Sequence, residues 1–324
     1  MRRSMLALAV CLMTGSAQAG VVDLDYMMKG ANIYALNNFS SQWSDVEGAV
    51  LAGGNVTTSG YTFNQSKTAG HQGYALVARG DLTMTGGEVM AGKIYVGGKS
   101  TTTNTNKIER SPDNPFDFEA AAAYYQALSG DLAKVNSTGS VRAQSEGVIV
   151  SGSGGGLVDV FNVSADMFRN ASSWGLENLA MGQTLIFNVS GANAGFREWG
   201  ISFEPLRNYN VLFNFPDAVE LNIKGMIGSV LAPKATVSDN WGQVNGQVVV
   251  NNWNSTNQIN ANHFFRPVEL DGFRDPPPVV TPEQPVDVPE PGTLALLLLG
   301  AGMVLAVRRG RKAPAEPSRL ALAA

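Results

Sequence analysis

The chain has 324 residues, a net charge of −4 and only 15% charged residues. That balance cannot neutralise a phosphate backbone, which excludes a nucleic-acid partner. Thirty-six glycines and a single cysteine favour a turn-rich β protein, one large domain or two smaller ones, over a helical one.

Residues 1–19 read as an export signal for the secretion translocon. Arg2 and Arg3 are its basic end, Met5 to Met13 its apolar centre, and Ala17-Gln18-Ala19 a small-x-small cleavage site before Gly20. A buried N-terminal helix does not account for all three parts in order. A lipoprotein cysteine at Cys11 is opposed by the bulky Val10 and by the few residues before it. Cleavage removes Cys11, so the mature chain can form no disulfide, thiolate nucleophile or cysteine metal site.

Residues 20–273 form the body. Five stretches share one shape: AVLAGGNVT from Ala49, ALVARGDLT from Ala75, KIYVGGKST from Lys93, SVLAPKATV from Ser229 and QVVVNNWNS from Gln247. Each has three or four apolar residues, a tight polar or glycine turn, then β-prone residues. Leu76 to Ile94 and Val230 to Val248 are 18 positions each, and Val50 to Leu76 is 26. A recurring interval with this content predicts stacked coils, each burying its aliphatic residues on the next. The expected fold is mainly β, a right-handed β-solenoid; a β-sandwich of hairpins is the rival. Gly53-Gly54, Gly97-Gly98 and Asn245-Gly246 mark tight corners.

One segment breaks the β pattern. NPFDFEAAAAYYQALSGDLAKV, residues 114–135, reads as a helix with Phe118, Ala122, Tyr125 and Leu128 on one face and Asn114-Pro115 at its start. It is expected to flank the coils and cover an apolar face. A weaker helical or irregular stretch is expected from Ala165 to Leu179. TLIFNVSG and NVLFNFPDAVELNIKG, which follow it, alternate apolar and polar residues and read as strand, with Pro216 restricting the second.

Motifs that carry chemistry are sparse. The two histidines, His71 and His263, lie far apart with no zinc-site spacing and read as surface or turn residues. There is no G-x-S-x-G elbow, and SGSGGG from Ser151 lacks the helix and lysine of a phosphate loop. Asp45 and Glu47 form the one paired-carboxylate motif. Two apart on an extended segment, they face the same way. Three roles fit: calcium held with backbone carbonyls, an acid/base pair in a glycosidase, or bonds to backbone amides at the end of a coil. No other cofactor is implied. Threonine rows at Thr57-Thr58, Thr62, Thr83, Thr85 and Thr101-Thr102-Thr103 raise ice binding, although the rows show no steady repeat. The Asn-x-Ser/Thr triplets at Asn55, Asn162 and Asn188 read as composition and not as glycan sites. Trp199, Trp241 and Trp253 sit beside Gly, Asn and Ser in predicted turns; they suit either glycan stacking or aromatic plugging of coil corners.

Residues 274–288 are a proline-rich, extended spacer. Pro289-Glu290-Pro291 follows, then the uncharged run Thr293–Val307, which as a helix is roughly 22 Å long against a hydrocarbon core of ~30 Å. It is read as one short transmembrane helix. Arg308, Arg309, Arg311 and Lys312 close it and face the cytoplasm by the positive-inside rule, which puts the body outside the inner membrane. Residues 313–324 form a tail.

Two resemblances follow. The tripeptide, apolar run and basic cluster of residues 289–312 resemble the PEP-CTERM sorting signal of Gram-negative bacteria, which implies processing by an exosortase and delivery to the cell surface or extracellular matrix; the tail past the basic cluster departs from that pattern. DVEGAVLAGGNVT, NPFDFEAAAAYY and IGSVLAPKATV…GQVNGQVVVNNW resemble the choice-of-anchor A domain family, which implies a secreted surface domain with no established enzyme activity. Together they imply a structural or adhesive protein of the surface, associated with exopolysaccharide or biofilm. A carbohydrate-active enzyme on a β-helix and an ice-binding surface protein are the alternatives. Replacing Glu290 with alanine is expected to trap full-length protein in the inner membrane, read by fractionation and immunoblotting; unchanged surface release would count against exosortase handling.

Overall fold

The computed structural model describes residues 19–197 and 201–274, all within the first of two compact units, Met1–Val279. The expected signal peptide up to residue 18, Trp199, the spacer and the whole sorting tail, including Pro289, Glu290, Pro291, the run 293–307, Arg308, Arg309, Arg311 and Lys312, lie outside the described residues. Ala19 is described, and Gly20, the residue after the expected cleavage, opens a short strand that pairs with Val268–Leu270.

The architecture is mainly β, organised as a nearly closed parallel sheet. Nine strands form its first face. One column of inward side chains runs through them in register: Phe161, Phe187, Phe213, Val230, Val248, Ile33, Val50, Leu76 and Ile94. All nine are buried. The intervals read from the sequence are the register itself, since Val50 pairs with Leu76, Leu76 with Ile94 and Val230 with Val248. Coil-to-coil pairing is parallel throughout. Among the described residues, antiparallel pairing is confined to Gly20–Val22 with Val268–Leu270, Ser140–Gln144 with Gly147–Ser151, and a His71–Tyr74 bridge. A hairpin sandwich is therefore not what the chain forms.

The order of coils along the stack is not their order in the chain. From Ile33 the chain winds outward to Ile94, crosses back along the helix Phe118–Leu132, re-enters at Phe161 and winds inward until Val248 docks beside Ile33. The first and last coils are thus neighbours in the middle.

The central strands of the first face are buried on both sides, which is why they read as near-continuous apolar runs. One side faces the interior with Phe161, Phe187 and Phe213 stacked at 4.9 and 5.0 Å. The other packs against the helix through Val160, Ile186, Leu212, Leu231, Val249, Tyr34, Leu51 and Val77, which share one core with Phe118, Tyr125 and Leu128. The helix is shorter than residues 114–135. Asp117, not Asn114, caps it by accepting from the Ala120 amide at 2.9 Å, and Asn114 instead makes a turn with the Phe116 amide. Ala121, and not Ala122, is buried. The stretch from Ala165 to Leu179 is helical only over Ala165–Arg169 and then forms the strand Trp174–Glu177.

The strands TLIFNVS and NVLFN do not simply alternate: Asn188 and Asn214 are buried. With Asn162 they stack in register and form a ladder, Asn214 Nδ2 donating to Asn188 Oδ1 and Asn188 Nδ2 to Asn162 Oδ1, both at 2.9 Å. The same amides donate to the carbonyls of Ser129, Leu132 and Val135 at the C-terminal end of the helix. Three residues of helix rise about 4.5 Å, close to the ~4.8 Å between strands, so the two repeats stay in step. The ladder thereby supplies donors to carbonyls that a helix end exposes. Corners use a second ladder: Asn38, Asn55 and Asp81 side chains accept from the amides of Asn55, Asp81 and Lys99 at 2.8, 2.9 and 2.7 Å. The triplet asparagines are structural members of the stack.

Asn214→Ala is expected to lower stability by about 2–4 kcal/mol, because it strands Ser129 Oγ and the Asn188 side-chain oxygen in the buried core. Asn162→Ala, at the exposed end of the ladder, is expected to cost under about 1 kcal/mol. Urea unfolding of the two variants checks the ordering.

Candidate functional site

The second face of the stack carries the most regular chemistry. Its strands, Phe39–Gln42, Val56–Phe63, Leu82–Val89 and Ser100–Thr103, continue from the ends of the Val230 and Val248 strands. Alternation sends Phe39, Val56 and Leu82, then Ser41, Thr58 and Met84, inward. Two outward files remain. One is Asn254, Ser40, Thr57, Thr83 and Thr101; the other is Gln42, Ser59, Thr85 and Thr103. Both are in register and neither contains a charged residue. The steady repeat that the threonine rows lack in the linear sequence is the 26- and 18-residue coil length, seen once register is known.

A corner separates this face from a third, which includes the parallel strands Met226–Ile227, Gln243–Asn245 and Gln258–Asn260. Four residues after Val237, Phe39, Val56 and Leu82, all in one paired column, come Trp241, Trp43, Gly60 and Gly86. All four are left-handed, at φ 70°, 51°, 56° and 67°. Glycine takes that conformation freely, whereas a residue with a Cβ is disfavoured there by roughly 1–2 kcal/mol. The coil between the two tryptophans turns one residue sooner, reaching Gln258 five positions after Trp253, where the neighbouring coils take six to reach Gln243 and Asp45. It contributes no corner residue, so a gap lies between the indoles. Trp43 is 78% and Trp241 88% exposed. A Cβ on Gly60 would lie 2.5 Å from Trp43 Cε3, so the Trp43 ring rests over that glycine. The turn before Trp241 is pinned by Asp239, whose carboxylate accepts from the Ile223 and Lys224 amides at 2.7 and 2.9 Å, and by Asn240, which accepts from the Thr256 amide. Burial raises the Asp239 pKa despite these donors.

Of the tryptophans singled out from sequence, Trp241 is on this corner. Trp253 is not a surface residue: it is fully buried, stacked on Phe39 at 6.5 Å with planes 8° apart. It falls on an inward position of a strand that runs straight through the stretch read as a turn. Trp43 was missed, and its offset from Phe39, equal to that of Gly60 from Val56, is the signal that finds it once the Phe39 coil is aligned with the others.

Asp45 and Glu47 do face one neighbour. Asp45 Oδ1 accepts from Gln258 Nε2 at 3.0 Å and Glu47 Oε2 from the Ala261 amide at 2.7 Å. Partial burial raises the Asp45 pKa, opposed by the Gln258 hydrogen bond. Among the described residues no three His, Cys, Asp or Glu side chains come together as metal ligands. His71 is a correction to the surface reading: it is buried, with Nδ1 2.8 Å from the Met28 carbonyl and its ring edge-on to Phe116. His263 is half-buried, in a left-handed turn.

The profile of a family described as "Putative Ice-binding-like adhesive domain" matches residues 27–261. The chain belongs to this ice-binding-like adhesive family. That match does not carry the choice-of-anchor A name. A PEP-CTERM protein-sorting motif matches residues 287–312, spanning Pro289-Glu290-Pro291 and the basic cluster. No curated protein and no solved structure matches the chain. An adhesive-like domain joined to an exosortase sorting signal is the make-up of an exported surface protein. No helix among the described residues is long and apolar enough to cross a membrane.

Burial holds the His71 imidazole below its ordinary value of 6.5. The unfolded chain then takes up a proton that the folded one refuses, so this contribution is complete above 6.5 and is lost as pH falls through the folded value. Stability is expected to drop between about pH 7.5 and about pH 5.5, and less so in His71→Gln, read by denaturant midpoints at both pH values.

Proposed function

We propose that this protein is a structural adhesin of the cell surface or extracellular matrix, holding to neutral extracellular polysaccharide by many weak contacts from one stiff face. The observation that carries the reading is the pair of uncharged, in-register files, Asn254-Ser40-Thr57-Thr83-Thr101 and Gln42-Ser59-Thr85-Thr103. Hydroxyls and amides at a fixed ~4.8 Å repeat are donors and acceptors together, suited to a hydroxyl-rich polymer, and repetition multiplies weak contacts. In this proposal the coils wind right-handedly, as crossovers between parallel strands do. The signal peptide is removed after export, the run 293–307 lodges in the inner membrane, and an exosortase processes the tail. The domain acts without enzyme activity or cofactor, and Asp45 and Glu47 serve as coil-to-coil ties.

A second reading, ice binding, is favoured by the Thr57-Thr83-Thr101 file and by the family description. Asn254 and Gln42 in the same files, and two protruding indoles at the corner, make the face uneven, which favours a flexible polymer over a lattice plane.

The purified exported protein is expected to be retained on neutral polysaccharides in a glycan array, and Thr83→Glu to weaken retention about tenfold or more by placing an unpaired charge mid-face. Inhibition of ice recrystallisation without glycan retention would select the second reading instead.

A further inference from the structure

Trp241 and Trp43 occupy one corner column, and the single coil between them contributes nothing to it. Their backbone positions are therefore two inter-strand steps apart, about 9–10 Å, with the Trp43 ring leaning over Gly60 of the next coil. Two other coils place glycine at the same corner, Gly60 and Gly86. The fold thus needs only a residue that tolerates left-handed backbone there. An exposed indole at that position satisfies no demand of the corner, yet it occurs in two coils. Beside the corner runs the file Gln42, Ser59, Thr85, Thr103, one hydroxyl or amide per coil, with Thr256 continuing it on the short coil and Asn240 on the coil beyond.

We infer that this corner is a binding track for an extended, neutral, β-1,4-linked pyranose chain lying along the stack axis. In such a chain each ring advances by close to one inter-strand step of ~4.8 Å, and alternate rings present the same face. Two indoles two steps apart stack on rings i and i+2, while ring i+1 crosses the short coil, where no side chain projects from the corner. The adjacent file meets ring hydroxyls at one polar side chain per ring. Neither file member nor indole along the track is charged, which favours a neutral polymer over an anionic one. The C–H faces of the sugar meet the π faces of the indoles, which is the contact aromatic side chains make with pyranose rings. The inference rests on the adhesive reading and names its ligand class and the residues that hold it.

The test uses the full exported protein and its Trp43→Gly, Trp241→Gly and doubly substituted forms. These changes install the residue already present at the same corner of two other coils, so folding is retained; circular dichroism and the denaturant midpoint verify it. Binding is measured by depletion onto insoluble cellulose and chitin, and by tryptophan fluorescence with soluble β-1,4-linked glucose oligomers of increasing length. Each single variant is expected to bind about tenfold more weakly. Wild-type affinity is expected to step up between the disaccharide and the trisaccharide, the first length that reaches both indoles, and that step is expected to vanish in either variant. Glycine variants that bind neutral polymer as well as wild type would overturn the track and leave the adhesive reading standing. Preference for alginate or another polyanion over cellulose and chitin would also overturn it. Wild-type protein held by no polysaccharide of either kind would bring down the adhesive reading itself.

Discussion

In-register stacking of nine parallel strands is the constraint from which everything else follows. A single coil buries too little apolar surface to persist alone. The column from Phe161 to Ile94 closes only because every coil puts an apolar residue at the same place, whatever its length. Length is absorbed at the corners, where one coil turns a residue sooner than its neighbours, and in bulges such as the register shift between Ala232 and Thr236. Along this column the aromatic rungs Phe161, Phe187 and Phe213 give way to the aliphatic rungs from Val230 to Ile94.

The helix Phe118–Leu132 solves two problems at once. It returns the chain to the far end of the stack, and it covers the outer side of the first face, which would otherwise expose Leu51, Val77, Ile186 and Leu212. Its fit depends on two repeats that nearly coincide, three residues of helix and one strand step. The asparagine ladder reads that coincidence directly, one amide for each of the carbonyls of Ser129, Leu132 and Val135. Amides satisfied in this way favour one position of the helix along the stack, since a shift by one strand would leave the end member of the ladder without its carbonyl.

The surface inherits the regularity of the core. Because inward residues are in register, outward ones are too, and an uncharged hydroxyl and amide face appears without any local motif to announce it. The corner column shows where the surface departs from what folding asks. Gly60 and Gly86 are what a left-handed corner calls for, whereas Trp43 and Trp241 are not. Departures of this kind, tolerated by the backbone at a cost, gather at places where a side chain has work to do.

Much of this protein is legible in the linear chain. Coil lengths of 18 and 26 residues, the helix within 114–135, the covering of one face by it, and the sorting motif all follow from periodicity, propensity and the order of parts, because each is a local or evenly repeated property. Other features belong to the tertiary structure alone. That the first and last coils meet in the middle depends on which strand edges the helix brings together, a long-range matter with no local signature. Trp253 and Trp43 show the same limit: both precede small polar residues, yet one is the most deeply buried indole of the described residues and the other stands in solvent. The difference is an inward strand position against a left-handed corner, and only pairing with the neighbouring coil decides which a residue occupies.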